Sequence, residues 1–371
     1  MKIVINALQY LDKSSGIGIM LRELFGRVAQ RSDECQVILP KGSPAFPCGG
    51  KAETVIAPCA YEEGLKRIIY QSLVIGPRYC KDALFLTTDS KVPLLLPNNA
   101  EVLSVITDLA VFRMPEVYRF SRVLLWKQQY RALCRRADRF IAISEFTKRE
   151  MTELLGIPKN RIRVLYCAAP EHVVQVCSSS VLNALREKHH LPERYILFVG
   201  NFNPRKNLKR LITAFDLMKQ RSGLPISLVI AGGQGWKFDP LNALKGVSFA
   251  QDVNFIGYVP DEEIAALYSA AELFVFPSLY EGFGIPVIEA QKCGTPVITS
   301  NTSALPEIGG DAAVYVDPLN VDELAHEMEI VLQSNTLRES LIAKGKENAA
   351  RFSWEESAQQ LTDYIERSVE T

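Results

Sequence analysis

Two carboxylates, Glu281 and Glu289, are separated by seven residues in the stretch SLYEGFGIPVIEA (278–290), and the intervening residues include Gly282, Gly284 and Pro286. A tight turn followed by a helix start can bring both acids to one ligand. The backbone N–H groups near Gly284 and Ile285, at the start of that helix, would seat an anion. The acids would accept hydrogen bonds from hydroxyl groups. A bare phosphate would be repelled by two carboxylates, whereas a ligand with both a diphosphate and hydroxyl-rich sugars suits the whole group. The spacing alone also has a plainer reading, a surface loop and a helix with one solvated acid. What favours the ligand is FVGNFNPRKNLKRLITAF (198–215), where Arg205 and Lys206 put fixed positive charge at a strand-to-helix turn. A helix dipole mildly disfavours cations there, so a solvated basic helix start is the weaker explanation.

The elements that must position these groups follow from the apolar pattern. Short β-branched runs alternate with longer helical patterns, the signature of parallel α/β units. Strands are expected at 2–7, 35–40, 83–88, 102–108, 139–144 and 162–166, then at 195–200, 227–232, 253–259, 273–278 and 296–300. Their near-continuous apolar character indicates sheets covered by helices on both faces. Around the two acids, LFVFPS is a strand and Pro286 suits the first position of a short helix at about 286–293. Gly294 and Pro296 close that helix before the next strand.

Between the halves, CAAPEHVVQVCSSSVLNALREKHHLPER (167–194) breaks the rhythm, and the interdomain linker is placed at its start. The fold expected is therefore α/β: two doubly wound Rossmann-like domains, 1–170 and 171–351, facing across a cleft at their strands' carboxyl ends. The last segment, FSWEESAQQLTDYIERSV (352–369), reads as an amphipathic helix capped by Ser353 with Glu356 three residues on. The helix in 352–371 is expected to pack back on the first domain.

Composition narrows the classes. The 371 residues carry 42 basic and 42 acidic side chains, so nothing points to a dedicated nucleic-acid binder. No run of about 18 apolar residues is present, and the N-terminus lacks a signal-peptide pattern, which makes the cytoplasm the expected address. The eight cysteines form no Cys-x-x-Cys pair and suit reduced thiols. No Asp-x-Asp stands at a strand end, and His189-His190 reads as a polar pair, not a metal site; no metal or cofactor is expected. Trp236 lines the site or packs in the core with equal ease. The segment 119–139 holds seven basic residues and one acid, 7 − 1 = +6, with Phe120, Trp126 and Tyr130 interleaved. A membrane-surface helix has this pattern, and so does a buried helix with one cationic face; the first would place the protein peripherally at the inner membrane face.

NPRKNL, FIGYVPDEEIAALYSAAELFVFPSLYEGFGIPVIEA, CGTPVITSNTSALPE and GDAAVYVDP together resemble the retaining glycosyltransferases of family 4, two-domain enzymes of the GT-B fold. AISEFTKREMTELLGIPKNRIRVLY (142–166) resembles the end of that family's first domain. The resemblance runs almost unbroken from about 194 to 330, and Glu281 and Glu289 match its E-x7-E pattern. It implies that 171–351 holds a nucleotide-sugar donor and 1–170 an acceptor. It also implies that Arg205 and Lys206 bind the donor diphosphate. Glu281 would contact the donor sugar, Gly282, Phe283 and Gly284 would give backbone contacts, and Glu289 would hold the ribose hydroxyls. Tyr258 and Val259 would seat the base, and Gly16 and Gly18 of SSGIGIM, opening a helix at 18–29, would approach the phosphates. Three stretches depart from the pattern. Thr107-Asp108 stands where many relatives have His-Asp, Ile19-Met20 replaces an Arg-Tyr, and LYCAAP replaces an Asn-Gly near the hinge. With no histidine before His172, Asp108 is the candidate to orient the acceptor hydroxyl or take its proton; its plainer reading is a turn cap.

The activity implied is metal-independent transfer with retention from a nucleotide-diphosphate sugar, GDP-mannose being the first donor guess. The acceptor would be a glycan or lipid-linked saccharide in bacterial surface polysaccharide or lipopolysaccharide synthesis. Two other readings are a catalytically silent nucleotide-sugar-binding partner subunit and a GT-B-type nucleotide-sugar epimerase. Oligomeric state is not legible.

Overall fold

A computed structural model describes residues 1–11, 16–233 and 238–366 of the chain. The chain divides into two units, the first comprising Met1–Cys167 with Ser353–Thr371 and the second Ala168–Phe352.

The first unit is built on seven parallel strands: β1 (Lys2–Asn6), β2 (Cys35–Lys41), β3 (Ala52–Ala60), β4 (Ala83–Thr88), β5 (Glu101–Ile106), β6 (Arg139–Ala142) and β7 (Ile162–Val164). They lie in the order β3-β2-β1-β4-β5-β6-β7, so the winding reverses between β1 and β4. All six residues of β4 are buried, which is why that strand reads as an unbroken apolar run. β3 was not expected. It is an edge strand paired only with β2, largely solvent-facing and carrying Pro58, so it has neither the apolar run nor clean alternation of a strand signal.

The crossovers are helices: α1 over residues 16–31, α2 over 64–79, α3 (Phe120–Arg136) and α4 (Glu145–Leu155). α1 and α2 each contain a π turn, Leu21–Phe25 and Tyr70–Val74. α3 buries Val123, Tyr130 and Leu133 but leaves Phe120 83% exposed, with Leu124 and Leu125 also outside. α2 turns Leu65, Ile68, Ile69 and Leu73 outward on one face. Exposed Leu94 and Leu95 donate their N–H groups to Ser72 O at 2.9 and 3.3 Å, and Arg136 of α3 reaches Leu94 O at 3.1 Å. No helix among the described residues is long and apolar enough to cross a membrane.

The second unit has six parallel strands: β8 (Tyr195–Val199), β9 (Ser227–Ala231), β10 (Val253–Gly257), β11 (Leu273–Phe276), β12 (Val297–Ser300) and β13 (Val314–Val316). The order β10-β9-β8-β11-β12-β13 reverses between β8 and β11. The three-residue β13 was missed because a strand that short has no periodicity to read. Its helices are α5 (Ser179–His189), α6 (Leu208–Ser222), α7 (Asp261–Ser269), α8 (Ile285–Lys292), α9 (Leu305–Gly309), α10 (Val321–Gln333) and α11 (Asn335–Ala349). Phe198, Phe274 and Phe276 stack within its core, centroids 5.8–5.9 Å apart.

The last helix, α12 (Trp354–Glu366), belongs to the first unit. Ser353 Oγ accepts the Glu356 N–H at 3.3 Å, and Trp354, Ala358, Leu361 and Ile365 are buried. Ser357 donates to Tyr166 O at 2.7 Å, Arg139 donates to Tyr364 O at 2.8 Å, and Glu355 pairs with Arg27 and Arg31.

Candidate functional site

The second sheet gathers its polar residues at the carboxyl ends of β8 and β11, the switch point of the winding. After β8 the Asn203 side chain accepts the Arg205 N–H at 3.1 Å and starts the single turn Pro204–Lys206. Asn207 ends that turn in the left-handed region, φ 61°, and its amide donates to Pro277 O at 3.1 Å and Pro318 O at 2.6 Å. The turn is thereby tied to the ends of β11 and β13, and the Leu279 N–H closes on Arg205 O at 2.8 Å. Lys206 Nζ then lies 2.6 Å from Glu281 Oε1 and 4.5 Å from the Phe276 ring centroid, while the Arg205 guanidinium stands 4.0 Å from Glu281 Oε2. Glu281 is 7% exposed. Burial alone would raise its pKa, but Lys206 and Arg205 outweigh burial and hold the carboxyl below its usual range. This acid is ionised.

The chain then turns through Gly284, whose φ of 118° suits glycine alone; a Cβ there would also lie 2.9 Å from Leu305 Cδ2. α8 begins at Ile285, so Pro286 is its second residue and not its first. Among the described residues, no acceptor takes the N–H groups of Gly284 and Ile285. One turn in, Glu289 is 7% exposed and accepts the Tyr268 hydroxyl on Oε2 at 2.8 Å. Burial pushes its carboxyl up to about 7, with Asp261 adding to the rise and Tyr268 and Lys292 opposing it. The two acids, similar in sequence, sit in opposite electrostatic settings.

The backbone comes close at this edge. A Cβ on Gly232, φ 144°, would lie 2.0 Å from Gly200 O, and the Gly232 N–H donates to Gly257 O at 2.7 Å, joining the ends of β8, β9 and β10. Just beyond, Tyr258 is 48% exposed. Val259 is buried in the core of the unit, so its side chain is unavailable to a base and only its backbone remains for that expected contact.

In the first unit, Gly16 and Gly18 lie in the first turn of α1, not in a loop before a helix at 18; residues 12–15, which include the two serines that start SSGIGIM, lie outside the described residues. Among the described residues beyond its chain neighbours and its own helix backbone, no atom stands within 4 Å of where a Gly16 Cβ would be. Asp108 follows β5, and its Oδ1 accepts the Ala110 N–H at 3.0 Å, a turn-capping contact. The sequence reading missed Asp89. It follows β4 with φ 49°, and its Oδ1 accepts both the N–H and the hydroxyl of Thr107 at 2.8 Å. Burial, with Asp108 adding, raises its carboxyl to about 6 against the lowering by Thr107 and Lys91. A lone Asp between threonine and serine gave no motif to read. His189 hydrogen-bonds Glu263 Oε2 at 2.6 Å, and His190 ends α5 with φ 50°. Trp236 lies outside the described residues.

Residues 183–348 match the family model described as glycosyl transferases group 1, and residues 110–173 match glycosyltransferase family 4. An O-antigen chain mannosyltransferase B of Escherichia coli is 33% identical over 262 residues, which is 70% of this chain and 69% of the relative. The chain belongs to glycosyltransferase family 4. A serotype-specific mannosyltransferase WbdA of Escherichia coli is 32% identical over 64% of this glycosyltransferase but only 30% of its own length, so the match spans under a third of that longer protein. Among solved structures, a sucrose-phosphate synthase from Thermosynechococcus elongatus superposes with a TM-score of 0.79 over 100% of this chain and 99% of its own, at 21% identity. The glycosyltransferase has the GT-B fold. Arg205, Lys206, Glu281 and Glu289 all fall inside the first matched region; Gly16, Gly18, Asp89 and Asp108 precede both.

Proposed function

We propose that this glycosyltransferase moves mannose, with retention and without a metal ion, from GDP-mannose to a saccharide acceptor of the O-antigen or lipopolysaccharide type. The observation that carries the reading is the pair of unlike acids at one sheet edge: Glu281 buried and ionised against two cations, Glu289 buried against a phenol. The mannosyltransferase names of the relatives support the choice of sugar.

In this scheme the donor diphosphate takes Arg205, Lys206 and the N–H groups of Gly284 and Ile285, with Gly282 and Phe283 lending further backbone contacts. Glu281 sits beside the transferred sugar and Glu289 binds the ribose. Tyr258 and the Val259 backbone border the base, and Gly16 and Gly18 leave room for the phosphates. The bond from the sugar C1 to the diphosphate oxygen breaks, and an acceptor oxygen bonds to C1 on the same face. The acceptor proton passes to the departing diphosphate. Catalysis is then positioning plus electrostatics: the cations stabilise the leaving group and the Glu281 carboxylate stabilises the cationic sugar. Asp108 orients the acceptor hydroxyl. The acceptor is brought from a membrane, against which the exposed leucines of α2 and α3 and the cations of 119–139 form a peripheral face.

The test is incubation with GDP-mannose and short mannosides in EDTA, reading GDP release, product mass and anomeric configuration. An α-linked product with metal removed is expected. Absence of acceptor-dependent GDP release across a broad acceptor panel sinks GDP-mannose as the donor, and an inverted anomer sinks retention.

A further inference from the structure

Tyr268 lies wholly within the second unit. It is fully buried on α7, with its ring edge-on to Phe274 of β11 at 5.3 Å between centroids. A phenylalanine would fill that apolar space equally well, and a buried hydroxyl costs stability unless it finds an acceptor. The acceptor is Glu289 Oε2, 2.8 Å away. The Tyr268 backbone is fixed as well, its carbonyl accepting the Thr295 hydroxyl at 2.7 Å. Glu289 Oε1 has no hydrogen-bond partner among the described residues.

We propose that Tyr268 is a positioning residue for nucleotide recognition: its hydroxyl holds the Glu289 carboxylate in one orientation, with Oε1 presented to the vicinal ribose hydroxyls of a nucleoside diphosphate. The proposal rests on the reading of Glu289 as the ribose ligand. A carboxylate accepts from two hydroxyls at once, whereas a protonated acid gives up part of that capacity. Several groups surround Glu289. α7 supplies Asp261 and Tyr268, α8 itself supplies Lys292, and Cys293 follows at its end. Of the other helices packed on α8, α9 carries Glu307 and α11 carries Lys344 and Lys346; β11 and β12 carry no titratable side chain. Burial pushes the carboxyl up to about 7, and the Tyr268 hydrogen bond opposes that rise. Removing the hydroxyl therefore raises the carboxyl further and empties the carboxylate form at neutral pH.

The experiment measures the affinity of GDP or UDP, whichever stabilises the protein, for wild type and Tyr268→Phe from pH 6 to pH 9. The 2′,3′-dideoxy analogue serves as control. Wild-type affinity should fall as pH drops through about 7. In Tyr268→Phe the fall should occur about one pH unit higher, leaving affinity ~5-fold weaker at pH 7 and within about twofold of wild type at pH 9. The dideoxy analogue should bind both proteins alike. The diphosphate's own titration is common to both and cancels in the ratio. Equal weakening at every pH and for both ligands would make Tyr268 a packing residue and overturn the proposal. If Glu289→Gln itself binds the ribonucleotide with wild-type affinity and pH dependence, the ribose reading of Glu289 fails instead. Carbon NMR of the Glu289 carboxyl in wild type, which needs no variant to fold, should show its pKa drop on nucleotide binding; an unchanged value overturns the proposal.

Discussion

At the scale of single residues, the two acids of the site make opposite demands on stability. Glu289 keeps its proton more tightly when folded, so between its unfolded value near 4.5 and its folded value of about 7 the protein loses stability as pH rises. Glu289→Gln, which can still accept from Tyr268, should therefore stabilise the ligand-free protein at pH 8 by ~1–3 kcal/mol and have no such effect at pH 4.5. The same variant should lose most of the nucleotide-induced rise in melting temperature; calorimetry at the two pH values reads both effects. Glu281 is the reverse case. Its contribution is present above its unfolded value and lost as pH falls through its lowered folded value. Lys206→Ala should cost ~3 kcal/mol by stranding a buried carboxylate, and Lys206→Met with Glu281→Gln should recover most of that while transfer stays abolished. Denaturant melts beside activity assays separate the two. Both acids and both cations were legible in the sequence as charged residues around turns. Their opposite ionisation was not, because its cause is tertiary: Lys206 and Arg205, some 75 residues before Glu281, outweigh that acid's burial, whereas burial dominates at Glu289.

Secondary-structure elements were legible where they are buried on both faces. β4, β5 and β11 announce themselves as apolar runs, whereas β3 at an edge and the very short β13 do not. The start of α8 was read one residue late because Pro286 suits either of the first two helical positions. Asn207 and Asp89, which hold left-handed conformations just before α6 and just after β4, gave no signal, since an isolated Asn or Asp is common at any turn. The meeting of β8, β9 and β10 is the element-scale feature most sensitive to change. Gly232→Ala puts a methyl group 2.0 Å from a backbone oxygen of Gly200, which a rotamer change cannot relieve. It should destabilise the second unit by ~3 kcal/mol or more and displace the turn that carries Arg205. Hydrogen exchange should show the loss centred on 200–206.

At the scale of the whole molecule, exposed apolar residues concentrate between 65 and 125, where Leu65, Ile69, Leu73, Leu94, Leu124 and Phe120 stand outside. Residues 117–137 contain six basic residues and no acid. Such a face should bind vesicles containing anionic lipid and release at high salt, because the attraction is screened beyond about 10 Å at 0.1 M ionic strength. Leu124→Glu with Arg131→Glu should reduce co-sedimentation at least fivefold, leaving transfer to a soluble mannoside unchanged. Equal sedimentation of variant and wild type would reject the membrane face.

The helix Trp354–Glu366 belongs to the first unit although the whole second unit intervenes in the chain. Topologically, one unit is inserted into the other, and this sets an order of synthesis. The second unit can close as soon as Phe352 clears the ribosome. The first must wait, with the surface later covered by Leu361 and Ile365 bare, at least through translation of the whole of Ala168–Phe352. At roughly 5–20 residues per second that is an exposure of about 10–40 s. A released chain truncated after Phe352 should therefore remain protease-sensitive in its first half while its second half is resistant.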